Sequence, residues 1–238
     1  MPNINAFGQP IGYALPDWQP PQAPARTELT GRWCRLEPLH VARHGADLYA
    51  ANQLDPDDGS WTYLPYGPFA DASSYQGWLE QNAEGDDPLF FAIIDQATGK
   101  AVGLAAYLRI EPAVGVLEVG HLKFSALLQR TPAATEAMFL LMQQAFALGY
   151  RRYEWKCDSL NQPSRAAALR LGFSFEGIFR QARVTKGRNR DTAWFSVTDQ
   201  DWPALQAAFT AWLAPDNFDP AGRQRQRLES FRKPVTLP

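Results

Sequence analysis

Along the 238 residues the apolar positions switch between a period of two and a period near 3.6. Arg32 to Glu37 alternates, with Trp33 and Arg35 opposite Cys34 and Leu36, and predicts a first strand. Val41, Leu48 and Ala51 recur at helical spacing over 41–53, and 73–84 reads as a second short helix. Leu89 to Asp95 and Ala101 to Ile110 are apolar strand runs, joined by a turn at Ala97-Thr98-Gly99-Lys100. Val116 to Ser125 predicts another strand. A long apolar helix follows from Pro132 to Leu148, closed by Gly149. Arg152 to Cys157 reads as a strand and Pro163 to Leu171 as a helix closed by Gly172. Phe173–Thr185 and Thr192–Thr198 are strands about a polar turn, Lys186-Gly187-Arg188-Asn189, and Asp199 to Leu213 is the last helix. The sum is an α+β fold: a mixed, mainly antiparallel central sheet flanked by helices, with a strand–helix–strand–helix–strand unit inside it.

The ends depart from this pattern. Residues 1–26 hold Pro2, Pro10, Pro16, Pro20, Pro21 and Pro24 and no strand or helix period, so an extended arm is expected. Its Ile11, Tyr13, Leu15 and Trp18 suit an arm laid on the domain surface. Residues 214–238 form a second arm, with Pro215, Pro220 and a basic run at Arg223, Arg225 and Arg227 that reads as a solvated face. The domain between them spans 27–213. Net charge is −2, which argues against a nucleic-acid or membrane protein held by bulk electrostatics. Cys34 and Cys157 make neither a disulfide framework nor a zinc site, and no metal is expected. No apolar run approaches the ~18 residues of a membrane span and no secretory leader stands out, so a cytoplasmic protein is expected.

The segment 118–194 carries more than a fold. It contains Glu118-Val119-Gly120-His121-Leu122-Lys123-Phe124-Ser125, then Gln129-Arg130-Thr131-Pro132-Ala133-Ala134-Thr135-Glu136-Ala137. Next come Asp158-Ser159-Leu160-Asn161-Gln162-Pro163-Ser164, Leu171-Gly172-Phe173 and Glu176-Gly177. This resembles the GNAT superfamily of acyl-CoA N-acyltransferases, most of all its ribosomal-protein N-terminal acetyltransferase branch, over residues 28–203. The resemblance implies a sheet whose strands splay to hold acetyl-CoA. It also implies that Gln129, Arg130, Thr131, Ala133, Ala134 and Thr135 open a helix on the coenzyme's pyrophosphate. A helix N-terminus is itself an anion site, and Arg130 adds a cation. An ordinary start, with Thr131 as N-cap and Pro132 first in the helix, explains the same residues. Pro132 stands where the family has a glycine and removes one N–H donor.

The implied reaction is attack of a primary amine on the acetyl thioester in a ternary complex. The acceptor is a peptide or protein N-terminus or a small amine. An ammonium with pKa ~10 must lose a proton, and Glu118 is the first candidate base, with a structural carboxylate as the other reading. His121 is the second, with an ordinary pKa ~6.5. Regular alternation puts the two on opposite faces, which a bulge near Gly120 would change. His40 and His44 look like surface residues. The resemblance gives the Phe124 N–H to the oxyanion, Ser164 to the departing thiolate unless it only caps its helix, and Asn161 to the pantetheine arm. Cys157, in an apolar strand, is no nucleophile. The basic turn 186–190 reads as a solvated hairpin tip, with an RNA contact as the weaker alternative. The broken aromatic stretch Trp61, Tyr63, Leu64, Tyr66 and Phe69 either borders the acceptor or anchors a loop in the core. A non-catalytic acyl-CoA-binding module is the rival function, and a monomer or homodimer is expected.

Overall fold

The apolar runs assemble into one eight-stranded sheet in the computed structural model, which describes residues 3–232. Residues 1–2, with Pro2, and 233–238 of the two expected arms lie outside the described residues. The chain runs β1 (Asn3–Ile4), β2 (Pro10–Ile11), β3 (Leu29–Thr30), β4 (Cys34–Pro38), α1 (Val41–Asn52) and α2 (Ala72–Ala83). It continues through β5 (Leu89–Asp95), β6 (Ala101–Glu111), β7 (Val116–Phe124), α3 (Pro132–Ala147) and β8 (Arg152–Asp158). It ends with α4 (Gln162–Arg170), β9 (Ser174–Thr185), β10 (Arg188–Thr198) and α5 (Trp202–Leu213). The sheet order is β3-β4-β5-β6-β7-β8-β10-β9, and β7 with β8 is its parallel pair.

Helices α1 and α2 cover one face of the sheet at β5 and β6, while α3 and α5 stack on the other and α4 packs on β8 and β9. Two apolar cores follow. One joins Leu48, Tyr75 and Leu79 to Phe90, Leu104 and Ala106, and the other joins Met138, Leu141 and Met142 to Leu117, Tyr153 and Phe195. Leu89–Ile94 and Ala101–Leu108 are buried throughout because helices cover both sides. That is why their sequence is continuously apolar rather than alternating.

Local chemistry sets the ends. Thr131 caps α3 with Pro132 in its first turn, and Asn161 caps α4 by accepting from the Ser164 N–H. Gly149 (φ 95°) and Gly172 (φ 95°) close these helices. The following Tyr150 and Phe173 donate back to Ala145 (3.3 Å) and Ala168 (3.0 Å), which completes the left-handed closure. The β9–β10 turn is tighter than expected: Lys186 (φ 49°) and Gly187 (φ 72°) make it alone, so Arg188 and Asn189 belong to β10. β9, the outer strand, slips twice against β10, at Glu176 and again between Phe179 and Arg183. There Gln181 takes φ 51° and donates its N–H to Asp191 at 2.8 Å.

The N-terminal arm is not wholly irregular, because β1 and β2 pair in it as a small hairpin. Beyond them it lies on the domain: Tyr13 Oη accepts from Arg151 (3.1 Å), and Arg26 donates to the carbonyls of Ala83 and Gly85. After α5 the chain turns back, burying Phe218 and Leu228 in the larger core. One surface expectation fails. His44 is 2% exposed, with Nε2 3.0 Å from the Glu37 carboxylate, because α1 lies on the sheet with this side turned toward Glu37 of β4.

Candidate active site

The site grows out of a fault in β7. Parallel pairing with β8 runs from Val116 opposite Arg152 to Val119 opposite Trp155. β7 nevertheless continues to Phe124 and β8 to Asp158, so the strands part after Val119. On the other side, Ala106 faces Gly120 and Leu104 faces Lys123, which leaves one extra residue in β7. His121, at φ 51°, sits in this bulge. A second bulge lies between Leu108 and Glu111 in β6, with Arg109 at φ 46°. Asp87 fixes it by accepting the N–H groups of Arg109 (2.8 Å) and Ile110 (3.0 Å).

Between the parted strands lies a cavity of about 390 Å³ whose lining includes Glu118, His121, Trp155, Lys156, Asn161 and Ser164. A more open groove of about 590 Å³ between α3 and α5 holds none of these residues. Glu118 is 3% exposed, with Lys156 Nζ at 2.9 Å and Arg109 Nε at 3.2 Å from its Oε2. Burial pushes its pKa above the ordinary carboxylate value despite the pull of Lys156 and Arg109. Lys156 is shared with Glu154 at 2.6 Å and lies 3.8 Å from the centre of the Trp194 ring. His121 stacks on Tyr66, whose hydroxyl is 3.2 Å from Nδ1. Burial, with Arg109 nearby, pulls this imidazole down to about 4 and keeps it neutral at pH 7.

The aromatic stretch divides between the core and the cavity. Trp61 is buried against α2, with Lys123 Nζ over its ring at 4.3 Å and bonded to Ser60 Oγ. Tyr63, Leu64 and Pro65 line the cavity. The hairpin tip of β9 and β10 faces them. Lys186 donates to the Trp61 carbonyl at 2.8 Å, and Tyr63 Oη donates to Leu160 O at 3.3 Å. The turn is exposed at Lys186, Gly187, Arg188 and Asn189, as expected of a solvated tip, while Arg183, Lys186 and Arg190 also line the cavity.

Residues 35–174 match the acetyltransferase (GNAT) domain family. The chain belongs to that family. It is an acyltransferase, and GNAT enzymes use acetyl-CoA. The crystal structure of a GCN5-related N-acetyltransferase from Brucella melitensis is 53% identical, with a TM-score of 0.90, covering 92% of this chain and 99% of that one. A Chromobacterium violaceum structure described as a probable acetyltransferase of the GNAT family is 42% identical, with a TM-score of 0.77, covering 82% and 98%. An uncharacterized N-acetyltransferase p20 of Bacillus licheniformis is 26% identical over 173 residues, 71% of this chain and 95% of its own length.

Of the residues singled out from the GNAT resemblance, Glu118, His121, Asn161 and Ser164 meet in the cavity. Phe124 and the loop before α3 stand beyond its lining, at the far end of β7. Two loop side chains bond back to nearby backbone: Gln129 donates to the Phe124 carbonyl (2.8 Å), and Thr131 Oγ1 bridges Leu128 O (2.6 Å) and the Ala134 N–H (3.3 Å). Thr135 accepts from Arg170 at 2.9 Å. Arg130, at φ 62°, is exposed beside the small residues Ala133 and Ala134. Cys157 is buried and its thiol pKa is raised by that burial, which leaves it inert. Sequence reasoning missed Arg109, Lys156, Trp155 and Arg190. Among the described residues no cluster could hold a metal ion, and no helix is long and apolar enough to cross a membrane.

Proposed function

We propose that this GNAT enzyme transfers acetyl from acetyl-CoA to a primary amine by direct attack in a ternary complex. The acceptor is a small amine or a peptide or protein N-terminus. The observation that carries the reading is Glu118, a buried carboxylate with raised proton affinity in the same cavity as Ser164 and Asn161. A base of this kind takes the ammonium proton more readily than a solvated glutamate would. The neutral amine then attacks the thioester carbon, and the carbonyl becomes an oxyanion. Ser125 donates its N–H to Val102 on β6 at 3.2 Å, so strand alternation turns the Phe124 N–H the other way, toward the gap left by β8. A backbone donor fixed there suits the oxyanion. As the C–S bond breaks, the thiolate needs a donor. Ser164 Oγ already accepts from Trp155 Nε1 at 3.0 Å, which leaves its own hydrogen to give. Asn161 uses Oδ1 on the Ser164 N–H at 3.1 Å and keeps its amide hydrogens for the pantetheine arm. Arg130 and the start of α3 suit the pyrophosphate. Gln129 and Thr131 serve there by shaping the loop.

Initial rates with both substrates varied should give intersecting lines, with no acetylated enzyme detected by mass spectrometry. Parallel lines, or an acetyl-enzyme, would overturn direct transfer. Glu118→Gln should lower kcat by roughly 10²–10⁴-fold and remove the acid limb of its pH profile. A lower kcat with an unchanged profile would return Glu118 to a structural role.

A further inference from the structure

We infer that the acceptor amine carries an anionic group, a carboxylate or a phosphate, which binds the guanidinium pair of Arg183 and Arg190. This rests on the acetyl-transfer reading of the cavity. The two arginines are register partners across the β9–β10 hairpin, and both line the cavity. Like charges directly opposite one another destabilise a strand pair, so an anion between them relieves a cost already built into the hairpin. Arg190 Nε is buried without a hydrogen-bond partner, an unsatisfied donor that folding alone does not explain. Burial also lowers the Arg190 pKa, with Arg183 adding to the shift and Asp158 opposing it.

The cavity lining holds five cationic side chains (Arg109, Lys156, Arg183, Lys186 and Arg190) and two carboxylates (Glu118 and Asp158), in a chain whose net charge is −2. Arg109 and Lys156 are committed to Glu118, and Lys156 also to Glu154. The surplus positive charge therefore sits on the hairpin. The coenzyme's phosphates do not account for it, because no residue of 129–135 lines this cavity. A guanidinium binds carboxylate or phosphate through two parallel N–H bonds, and Arg183 and Arg190 each bring one to the cavity that holds the proposed base. Acceptors whose only charges are positive, such as lysine-rich segments, are disfavoured by the same field.

The test has two parts. The first compares matched amines with the whole enzyme: amino acids against their amides, and phosphoethanolamine against ethanolamine. The anionic member should have a kcat/KM higher by roughly 10–100-fold, the size of one charged hydrogen bond. The pair that shows the larger gap tells carboxylate from phosphate. Arg183→Gln and Arg190→Gln should each shrink that gap by raising the anionic amine's KM, with the KM for acetyl-CoA held within about two-fold; Arg188→Gln, at the exposed tip, should preserve it. Equal kcat/KM within both pairs overturns the proposal, as does an Arg190→Gln effect confined to acetyl-CoA. The second part titrates inorganic phosphate and acetate by calorimetry in saturating coenzyme A. Wild type should bind one of them and Arg183→Gln/Arg190→Gln should not. Binding of neither by wild type overturns the anion site even if every amine proves a poor substrate. Anion binding without any acetyl transfer would sink the transfer reading and leave the anion site standing.

Discussion

Glu136 sits one turn into α3 yet is 4% exposed, and its carboxylate binds backbone rather than a cation. It accepts the N–H groups of Arg32 (2.7 Å), Trp33 (2.6 Å) and Cys34 (2.9 Å), and so ties the start of β4 to α3. Glu136→Ala strands these donors. The Arg32 N–H lies at an exposed residue where water can replace the carboxylate, so two orphans remain. At ~1–3 kcal/mol each the loss should be roughly 2–6 kcal/mol. Gly31 belongs to the same unit, since a Cβ there would stand 2.5 Å from Oε2 and 2.7 Å from Oε1. Gly31→Ala must push the carboxylate off its donors and should cost ~1–3 kcal/mol. In Gly31→Ala/Glu136→Ala the obstacle is gone, so the double variant should be less destabilised than the sum by about the Gly31→Ala cost. Urea unfolding of the four proteins at constant m-value measures this. Additivity within ~0.5 kcal/mol would refute the argument, because it would mean that the carboxylate and Gly31 do not share one space.

Three further outcomes follow from the electrostatics. His121 is held near 4, so a kcat profile from pH 6 to 9 should keep its shape in His121→Asn; an inflection near 6.5 that the substitution abolishes would contradict this. Burial alone would raise the Glu37 pKa, but hydrogen bonds from Arg43, Arg35 and His44 outweigh it and bring the group down to about 2. Its folded value lies below the unfolded ~4.3, so its stabilisation is present above that pH and is lost as pH falls toward 2. Urea midpoints at pH 5 and pH 2.5 should differ less in Glu37→Gln than in wild type. Cys157 should resist iodoacetamide at pH 8, with well under one equivalent bound after an hour, since Cys34 is buried too, and activity retained.

The sequence was most readable where burial and period agree. β5 and β6 announced themselves as apolar runs because both their faces are covered, and α3 and α4 because cap, proline and closing glycine all stand in place. Glu118 and His121 could be named, and a bulge was anticipated near Gly120, one residue from the His121 position it takes. Lys156 and Arg109 were not readable. Lys156 meets Glu118 only through the parallel register of β7 and β8, and Arg109 only through a bulge with no glycine to mark it. His44 looked solvated because its neighbours Arg43 and His40 are. The tight Lys186-Gly187 turn was hidden by a lysine in a conformation more often given to asparagine or glycine. Phe218 and Leu228 are single apolar residues without a period, so their burial could not be foreseen.

The irregularity of β9 has a consequence for colloidal behaviour. A twelve-residue outer strand exposed along nearly its whole length is a template on which other chains can add. Here the slips at Glu176 and around Gln181 break the row of free amides and carbonyls into short pieces, and Arg180 and Arg183 add charge. The opposite margin, β3, is only two residues long. Neither margin offers a straight run for continuous backbone pairing, so the enzyme can carry its cationic hairpin into water without recruiting copies of itself into a growing sheet. Straightening β9 around Gln181 would take the loss of two of the three residues 180–182 that oppose Asp191, and it would weaken that protection along with the placement of the arginines.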